Sequence, residues 1–443
     1  MPVTPADLDR AQRALAAALE GSGPPVEFTE DGRVLARPEA ADPAAGGAAG
    51  VVAVVRTSGS TGAPKQTLLT GEALAASAAA TASRIGGEGQ WLLAVGLHYV
   101  AGLAVLSRSI AAGTTPVPVA PGPFTPQSFV EAVDRMERGT GFRALSLVPT
   151  MLSRLLVPAA GPDASGRAGD ESAGAGFAGA GFAGAGFAGA AVDALRTFDA
   201  ILIGGARLPD RVREAAAEAG LRIHLTYGMS ETCGGSVYDG VPLDGVTADL
   251  VTDPDTVVGG EGHPGVPRLR LAGPMVAAGY FDDADRTAAQ FGSGPSGGSG
   301  QDGSTRWFLT EDTGTVEGSP GRQHLTVTGR VDDVINTGGV KVSAARVQQV
   351  LEAIPGLQAA FVAGLSDDAW GQRVCAAVAL GRSHPPFDQA AARQTIRAEL
   401  GPAAVPKQWL VLESLPLLPN GKTDRQALLS RFSTCPPPFS GQK

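Results

Sequence analysis

Cysteine is almost missing from this chain. Only Cys233, Cys375 and Cys435 occur in 443 residues, and no two have CxxC spacing. That excludes a disulfide framework and a structural zinc site. Runs of positive charge are also missing, and the formal net charge is −9, which argues against a nucleic-acid protein. No window approaches the roughly 18 apolar residues that read as a membrane span. Met1 to Glu20 lacks the basic start and apolar core of a signal peptide, and reads instead as an amphipathic helix. The expected location is therefore the cytoplasm.

Lysine is scarce as well, occurring only at Lys65, Lys341, Lys407, Lys422 and Lys443 among 35 basic residues. A chain that nearly always uses arginine keeps lysine where a compact ammonium differs from a planar guanidinium. Glycine (61) and proline (33) are plentiful, yet AVILMFWYC still make up 43%. That is enough to build cores and excludes wholesale disorder. The length suits two or three domains.

Residues Arg37–Gly50 read as an Ala/Pro/Gly linker. Short apolar runs at Val51–Val55, Trp91–Val95, Ala144–Val148, Ala200–Ile203 and Arg222–Thr226 read as buried strands. Helical stretches at Gly71–Ser83, Pro126–Glu137 and Asp210–Ala219 lie between them. Alternation of this kind predicts an α/β domain with a largely parallel sheet. Residues 160–190 carry a repeated GAGFA with Phe177, Phe182 and Phe187 five apart, which aligns on neither a helix nor a strand. They read as an exposed, mostly disordered insertion. A second Gly/Ser-rich insertion spans 293–304. Past Gly329 the texture changes to a turn-rich segment, a helix at Ser343–Ala353, strands at Ala359–Ala363 and Val374–Leu380, and a helix at Gln389–Leu400. The expected domains are thus 1–329 and 330–443, the second small and α+β.

Five segments carry chemistry. Thr57-Ser58-Gly59-Ser60-Thr61-Gly62-Ala63-Pro64-Lys65 follows a strand and offers hydroxyls, backbone N–H groups and one ammonium, which suit a polyphosphate. It is not a Walker A loop, and Pro64 steers Ala63 away from helix. Thr226-Tyr227-Gly228-Met229-Ser230-Glu231-Thr232 combines a flat ring, a tight turn and a hard oxygen ligand suited to Mg²⁺. Trp307–Gly314 sets Asp312 after an apolar strand, where a carboxylate can accept ribose hydroxyls. Gly329–Val342 is turn-rich, and Leu418–Arg425 presents Lys422 on a turn.

In order and spacing these five resemble the signature motifs of the acyl-adenylate-forming superfamily, over roughly Val51 to Leu428. Ser146–Thr150 and Thr226–Leu243 are most similar to the o-succinylbenzoate–CoA ligases of menaquinone biosynthesis. The resemblance implies a large N-terminal domain with mainly parallel sheets and a small C-terminal domain that rotates. It implies ATP, Mg²⁺ and CoA, and a two-step reaction through an acyl-adenylate. Its partners would be small molecules, with no nucleic acid.

Carried over residue by residue, the resemblance implies that Ser58–Lys65 holds the β/γ-phosphates and that Glu231 ligates Mg²⁺ beside Ser230. Tyr227 would stack on adenine, next to Gly228, with Gly204, Gly205 and Ala206 as the adenine wall. Asp312 would accept the ribose hydroxyls, assisted by Arg330, with Asp332 as hinge. Lys422 would bridge the acyl carboxylate and the α-phosphate. Gly338, Gly339, Lys341 and Trp370 would serve CoA. His98, Tyr99 and Gly102 match the acyl gate, with the choice of gating ring left open. Arg108 would face a second substrate carboxylate, and Thr150 and Ser236 would line the pocket.

Three positions depart from the pattern. Glu311 stands where glycine is usual, beside Asp312; Met151 replaces a glutamine; and Gln66 follows Lys65 where small apolar residues are frequent. Two other functions stay open: a synthetase for another aryl or medium-chain acid, and a nucleotide-binding pseudoenzyme.

Overall fold

A computed structural model describes residues 4–57, 64–137, 139, 141–156, 183–252, 257–258, 261–262, 266–294, 305–367, 369–380, 387–418 and 423–434. The chain forms two compact units. One comprises Met1–Asp249, Arg270–Leu309 and Glu317–Leu325, and the other Leu250–Leu269, Thr310–Val316 and Thr326–Lys443.

The first unit opens with α1 (Pro5–Leu19), whose Thr4 side chain accepts from Asp7 N and so caps the helix. Leu8, Ala11, Leu15 and Ala18, at helical spacing, are its buried stripe. β1 (Val26–Phe28) pairs antiparallel with β2 (Val34–Ala36) and parallel with β3 (Val51–Thr57). β3 continues antiparallel into β4 (Lys65–Thr70), and the strand Gly279–Tyr280 closes this sheet beyond β4. Arg37–Gly50 is not a linker. It winds into 3-10 turns at Pro38–Ala41 and Pro43–Ala45, with Ala40 fully buried, because Pro at the start of each turn supplies a helical φ.

The second sheet is the α/β core. In chain order come α2 (Gly71–Ile85), β5 (Gly89–Leu93), α3 (Val100–Ala111), β6 (Val117–Pro118), α4 (Pro126–Asp134), β7 (Phe142–Leu147) and α5 (Pro149–Leu156). They are followed by α6 (Ala183–Arg196), β8 (Ala200–Ile203), α7 (Asp210–Glu218), β9 (Ile223–Met229), β10 (Gly234–Tyr238) and β11 (Val241–Pro242). The strand order is β11-β10-β9-β8-β7-β5-β6. Strands β9 through β6 run parallel, and β10 and β11 fold back antiparallel. The strands of the parallel core read as apolar runs because helices cover the sheet.

The low-complexity insertion ends earlier than its composition suggests. Residues 183–190 belong to α6, and the same helix buries Ala191 and Leu195 completely. Residues 157–182 and 295–304 lie outside the described residues, whereas Ser293 ends a strand, Phe291–Ser293.

The second unit holds a five-stranded sheet. Val340–Ser343, Val334–Thr337, Gly371–Leu380 and Leu357–Asp367 follow one another, and Gln408–Leu412 adds in parallel to Gly371–Leu380. The helices Ala344–Glu352 and Gln389–Leu400 supply Val347, Val350, Leu351, Ala392 and Ile396 to its core. Ser343 caps the first helix and does not start it.

Candidate active site

The first unit gathers most of the expected residues around β4, β9 and the start of α3. Thr57 and Lys65 face each other across the end of the β3–β4 pair, so any loop joining them leaves from a fixed base. Ser58, Gly59, Ser60, Thr61 and Gly62 lie outside the described residues. Gln66 accepts from Arg37 Nη2 at 3.0 Å and so has a structural partner.

β9 runs through Thr226, Tyr227, Gly228 and Met229 and then turns into a 3-10 segment, Ser230–Thr232. The sequence suggested a strand ending at Thr226. The extension is paired antiparallel with β10, Gly228 opposite Gly235 and Tyr227 opposite Val237. Only glycine fits at 228, since a Cβ there would stand 2.0 Å from the Gly234 carbonyl oxygen. Thr232 Oγ1 accepts from Met229 N and lies 2.7 Å from Gly234 O, tying the turn shut. Ser230 and Glu231 are held buried at its tip.

Gly204, Gly205 and Ala206 follow β8 beside this strand. A Cβ on Gly204 would meet Thr226 Oγ1 at 2.4 Å, so its bare backbone is required for the close approach.

A buried tyrosine, missed by sequence reasoning, links these parts. Tyr280 pairs with Thr67 of β4, and its hydroxyl lies 2.7 Å from Glu231 Oε1. Lys65 Nζ sits 5.4 Å from the centroid of the same ring. Glu231 is thus a buried carboxylate with Lys65 around a shared ring, and no described residue donates a hydrogen bond to its Oε2. No group of three or more His, Cys, Asp or Glu side chains that could hold a metal occurs among the described residues. A single hard oxygen fits Mg²⁺ that takes its other ligands from phosphates and water.

At the start of α3, His98 and Tyr99 rings touch, with centroids 3.9 Å apart. His98 Nε2 is sealed without a partner, and burial pushes the imidazole below its ordinary pKa of 6.5. Gly102 lets α3 pack on the preceding loop: a Cβ there would lie 2.3 Å from the Gly96 carbonyl oxygen.

Farther along α3, Arg108 is 8% exposed and lies over the Trp91 ring at 5.3 Å. Its Nε is sealed without a partner, and the guanidinium forms no hydrogen bond or ion pair with any described residue. Arg108 lines, with Ser77, Ala104, Ser107 and Cys233, a tightly packed crevice that has no room for a water molecule. Cys233, on the lining of this crevice, follows Glu231 by two positions. Burial pushes the Cys233 thiol up to about 12. Ser236 is fully buried with an unpartnered hydroxyl, and Thr150 sits half-buried on α5.

The second unit holds the remaining expected residues. Asp312 is buried, its N–H bonded to Thr310 Oγ1 at 3.0 Å. Arg330 donates to Asp332 from Nε at 2.8 Å, to Glu311 from Nη2 at 2.5 Å, and to Asp312 from Nη1 at 3.4 Å. Burial opposes its charge, but the three carboxylates outweigh that and raise its pKa.

Gly338 and Gly339, at φ +60° and +79°, make the two-residue turn between Val334–Thr337 and Val340–Ser343, and Lys341 is exposed. Gly338 N donates to the Trp370 carbonyl at 2.8 Å. Trp370 is half exposed, and Lys407 Nζ lies 3.3 Å from its ring centroid. Burial lowers the Lys407 pKa. Lys407 was not singled out by motif; its membership of so small a set of lysines was the available signal. Lys422 lies outside the described residues, between Leu417 and Thr423, which form an antiparallel bridge.

Residues 4–281 match the AMP-binding enzyme family, and residues 346–422 match the AMP-binding enzyme C-terminal domain. The chain belongs to the AMP-binding enzymes. Among relatives of this AMP-binding enzyme is a probable 2-succinylbenzoate–CoA ligase of Mycobacterium tuberculosis. It is 38% identical over 86% of this chain and 85% of the relative. Among solved structures, o-succinylbenzoate CoA synthetase from Bacillus subtilis, in complex with the acyl-adenylate intermediate OSB-AMP, matches with a TM-score of 0.61. The identity is 25%, covering 85% of this chain and 69% of that one. An amide bond synthetase from Marinactinospora thermotolerans matches with a TM-score of 0.65 and 26% identity over 86% and 69% of the two chains. The AMP-binding family and its α/β architecture are those expected from the motifs. Among the described residues, no helix is long and apolar enough to cross a membrane.

Proposed function

We infer that this AMP-binding enzyme joins o-succinylbenzoate to CoA at the expense of ATP, in menaquinone biosynthesis. In the first step a carboxylate oxygen of the acid attacks the α-phosphorus of ATP, the bond to the β-phosphate oxygen breaks, and pyrophosphate leaves. In the second the CoA sulfur attacks the acyl carbon, its proton is lost, and AMP leaves. The barrier to the first step is the approach of two anions, so positive charge must be concentrated where phosphate charge builds.

In our assignment the Thr57–Lys65 segment and Lys65 take the β/γ-phosphates, and Glu231, beside Ser230, holds Mg²⁺. The cation supplies Lewis-acid neutralisation of the phosphate oxygens when bound. Tyr227, Gly228 and Gly204–Ala206 receive the adenine, and Asp312 with Arg330 the ribose. Lys422 bridges carboxylate and α-phosphate. Asp332 is the hinge by which a C-terminal body, residues 330–443, exchanges Lys422 for the CoA elements Gly338, Gly339, Lys341 and Trp370. ATP and CoA are cytoplasmic, and we place the activity there.

Arg108 is the observation that carries the choice of acid. A guanidinium with no counter-ion among the described residues, nine-tenths buried, is costly unless a ligand completes it. o-Succinylbenzoate has a second carboxylate, on its ring, which would pair with it. Trp91 holds the guanidinium plane in place. His98, Tyr99, Gly102, Thr150 and Ser236 complete the acyl region in this reading.

The test is AMP release with a panel of carboxylic acids, ATP, Mg²⁺ and CoA. The native enzyme should select o-succinylbenzoate over benzoylpropionate, which lacks the ring carboxylate. Arg108→Ala should remove that preference while leaving turnover of the monocarboxylate. If selectivity survives the substitution, the assignment of Arg108 is wrong. If no acid drives AMP release, the ligase reading itself is wrong.

A further inference from the structure

Among the described residues, Tyr280 is the buried polar side chain that hydrogen-bonds the assigned metal carboxylate, and no motif drew attention to it. Glu231, Tyr280 and Gln290 are all under 9% exposed. The phenol oxygen stands 2.7 Å from Glu231 Oε1 and 2.8 Å from Gln290 Oε1. One proton serves only one of them, and an ionised carboxylate is the stronger acceptor. Glu231 Oε1 is therefore occupied, and Oε2 accepts no hydrogen bond from any described residue.

The support is rigid on every side. Tyr280 N donates to Thr287 Oγ1 at 3.0 Å, and Phe291 packs edge-on at 5.2 Å between centroids. Ala277 N, three residues earlier, donates to the Glu231 carbonyl at 2.9 Å, so main chain and side chain of Glu231 are held by one segment. The ring face of Tyr280 meanwhile carries the Lys65 ammonium.

We propose that Tyr280 is a positioning residue for the divalent cation: its hydroxyl fixes Glu231 Oε1 so that Oε2 is presented to the metal, while its ring sets Lys65 beside it. This rests on Glu231 being the metal ligand. Partners that orient a metal ligand change metal affinity by about 10–100-fold when removed.

The experiment is a Mn²⁺ titration with a non-hydrolysable ATP analogue, read by electron paramagnetic resonance, with no acid or CoA present. Tyr280→Phe keeps the ring over Lys65 and against Phe291 and removes only the hydroxyl. Its Mn²⁺ midpoint should rise about tenfold. In turnover the Mg²⁺ requirement should rise in parallel, kcat at saturating Mg²⁺ should stay near that of the native enzyme, and the melting temperature should change little. An unchanged Mn²⁺ midpoint in folded Tyr280→Phe overturns the proposal, as does a loss of kcat that saturating metal does not restore. Glu231→Gln is the companion variant. If it shifts the midpoint and Tyr280→Phe does not, the positioning role fails and Glu231 remains the ligand. If neither shifts it, the metal assignment fails as well.

Discussion

Glu311 and Arg330 meet at 2.5 Å, carboxylate oxygen to Nη2. The same guanidinium holds Asp332 and reaches Asp312. The extra carboxylate beside Asp312 is therefore paired where it stands, but with a single positive charge that Asp312 and Asp332 also share. It also draws one arm of Arg330 away from Asp312.

Glu311→Gly should release that arm. The Arg330 side chain is 41% exposed, so the pair contributes under about 1 kcal/mol and the urea midpoint should barely move. The KM for ATP should fall while the KM for the acid stays put. A rise in the KM for ATP would mean that Glu311 supports the nucleotide.

Lys422→Ala should slow adenylation by about 10²–10³, the cost of removing one preorganised electrostatic donor. Thioester formation from supplied acyl-adenylate and CoA should be spared. ATP–pyrophosphate exchange and thioester release, measured separately, check this split; equal losses in both would contradict it.

His98 gives a pH dependence. Its folded pKa lies below the unfolded 6.5 because burial disfavours the charged ring. The unfolded chain then binds more protons in this interval, so stability is full above pH 6.5 and falls as the pH drops below it. Urea midpoints from pH 7.5 to 5 should show this decline, and His98→Gln should flatten it.

Gly228→Ala and Gly102→Ala each force a Cβ against a backbone carbonyl, at 2.0 and 2.3 Å. Each should destabilise by about 1–3 kcal/mol, as overpacking does. Gly113→Ala is the contrast, since its Cβ would meet nothing; only its φ of +66° opposes the change. Denaturation curves that rank Gly113→Ala as the worst of the three would refute the packing argument.

Cys233, with its thiol pushed up to about 12, should resist alkylation at pH 8 in the native enzyme and react in urea. Mass spectrometry of the labelled peptide reads this directly.

The ordered motifs were enough to indicate the family and the α/β core, because each is a short segment whose chemistry is local. The strands at Val51, Trp91, Ala144 and Ala200 were legible as apolar runs, since strands covered on both faces carry no alternation. The extension of β9 through Tyr227 was not legible, because it depends on β10 folding back onto it. Arg37–Gly50 looked like a linker on composition alone; its turns exist because Ala40 packs beneath them.

Local order along the chain determined which residue types could meet a polyphosphate, a cation and a base. Tertiary structure alone decided which of them meet one another. Tyr280 reaches Glu231 across 49 positions, and Lys407, just before the strand Gln408–Leu412, reaches Trp370, just before Gly371–Leu380. Such pairs leave no periodic trace, because a contact between distant segments is set by how the sheets stack and by which carbonyls leave room for a glycine. Arg108 stood in the sequence as one arginine on a helix; only packing showed it to be buried over Trp91 without a counter-charge among the described residues.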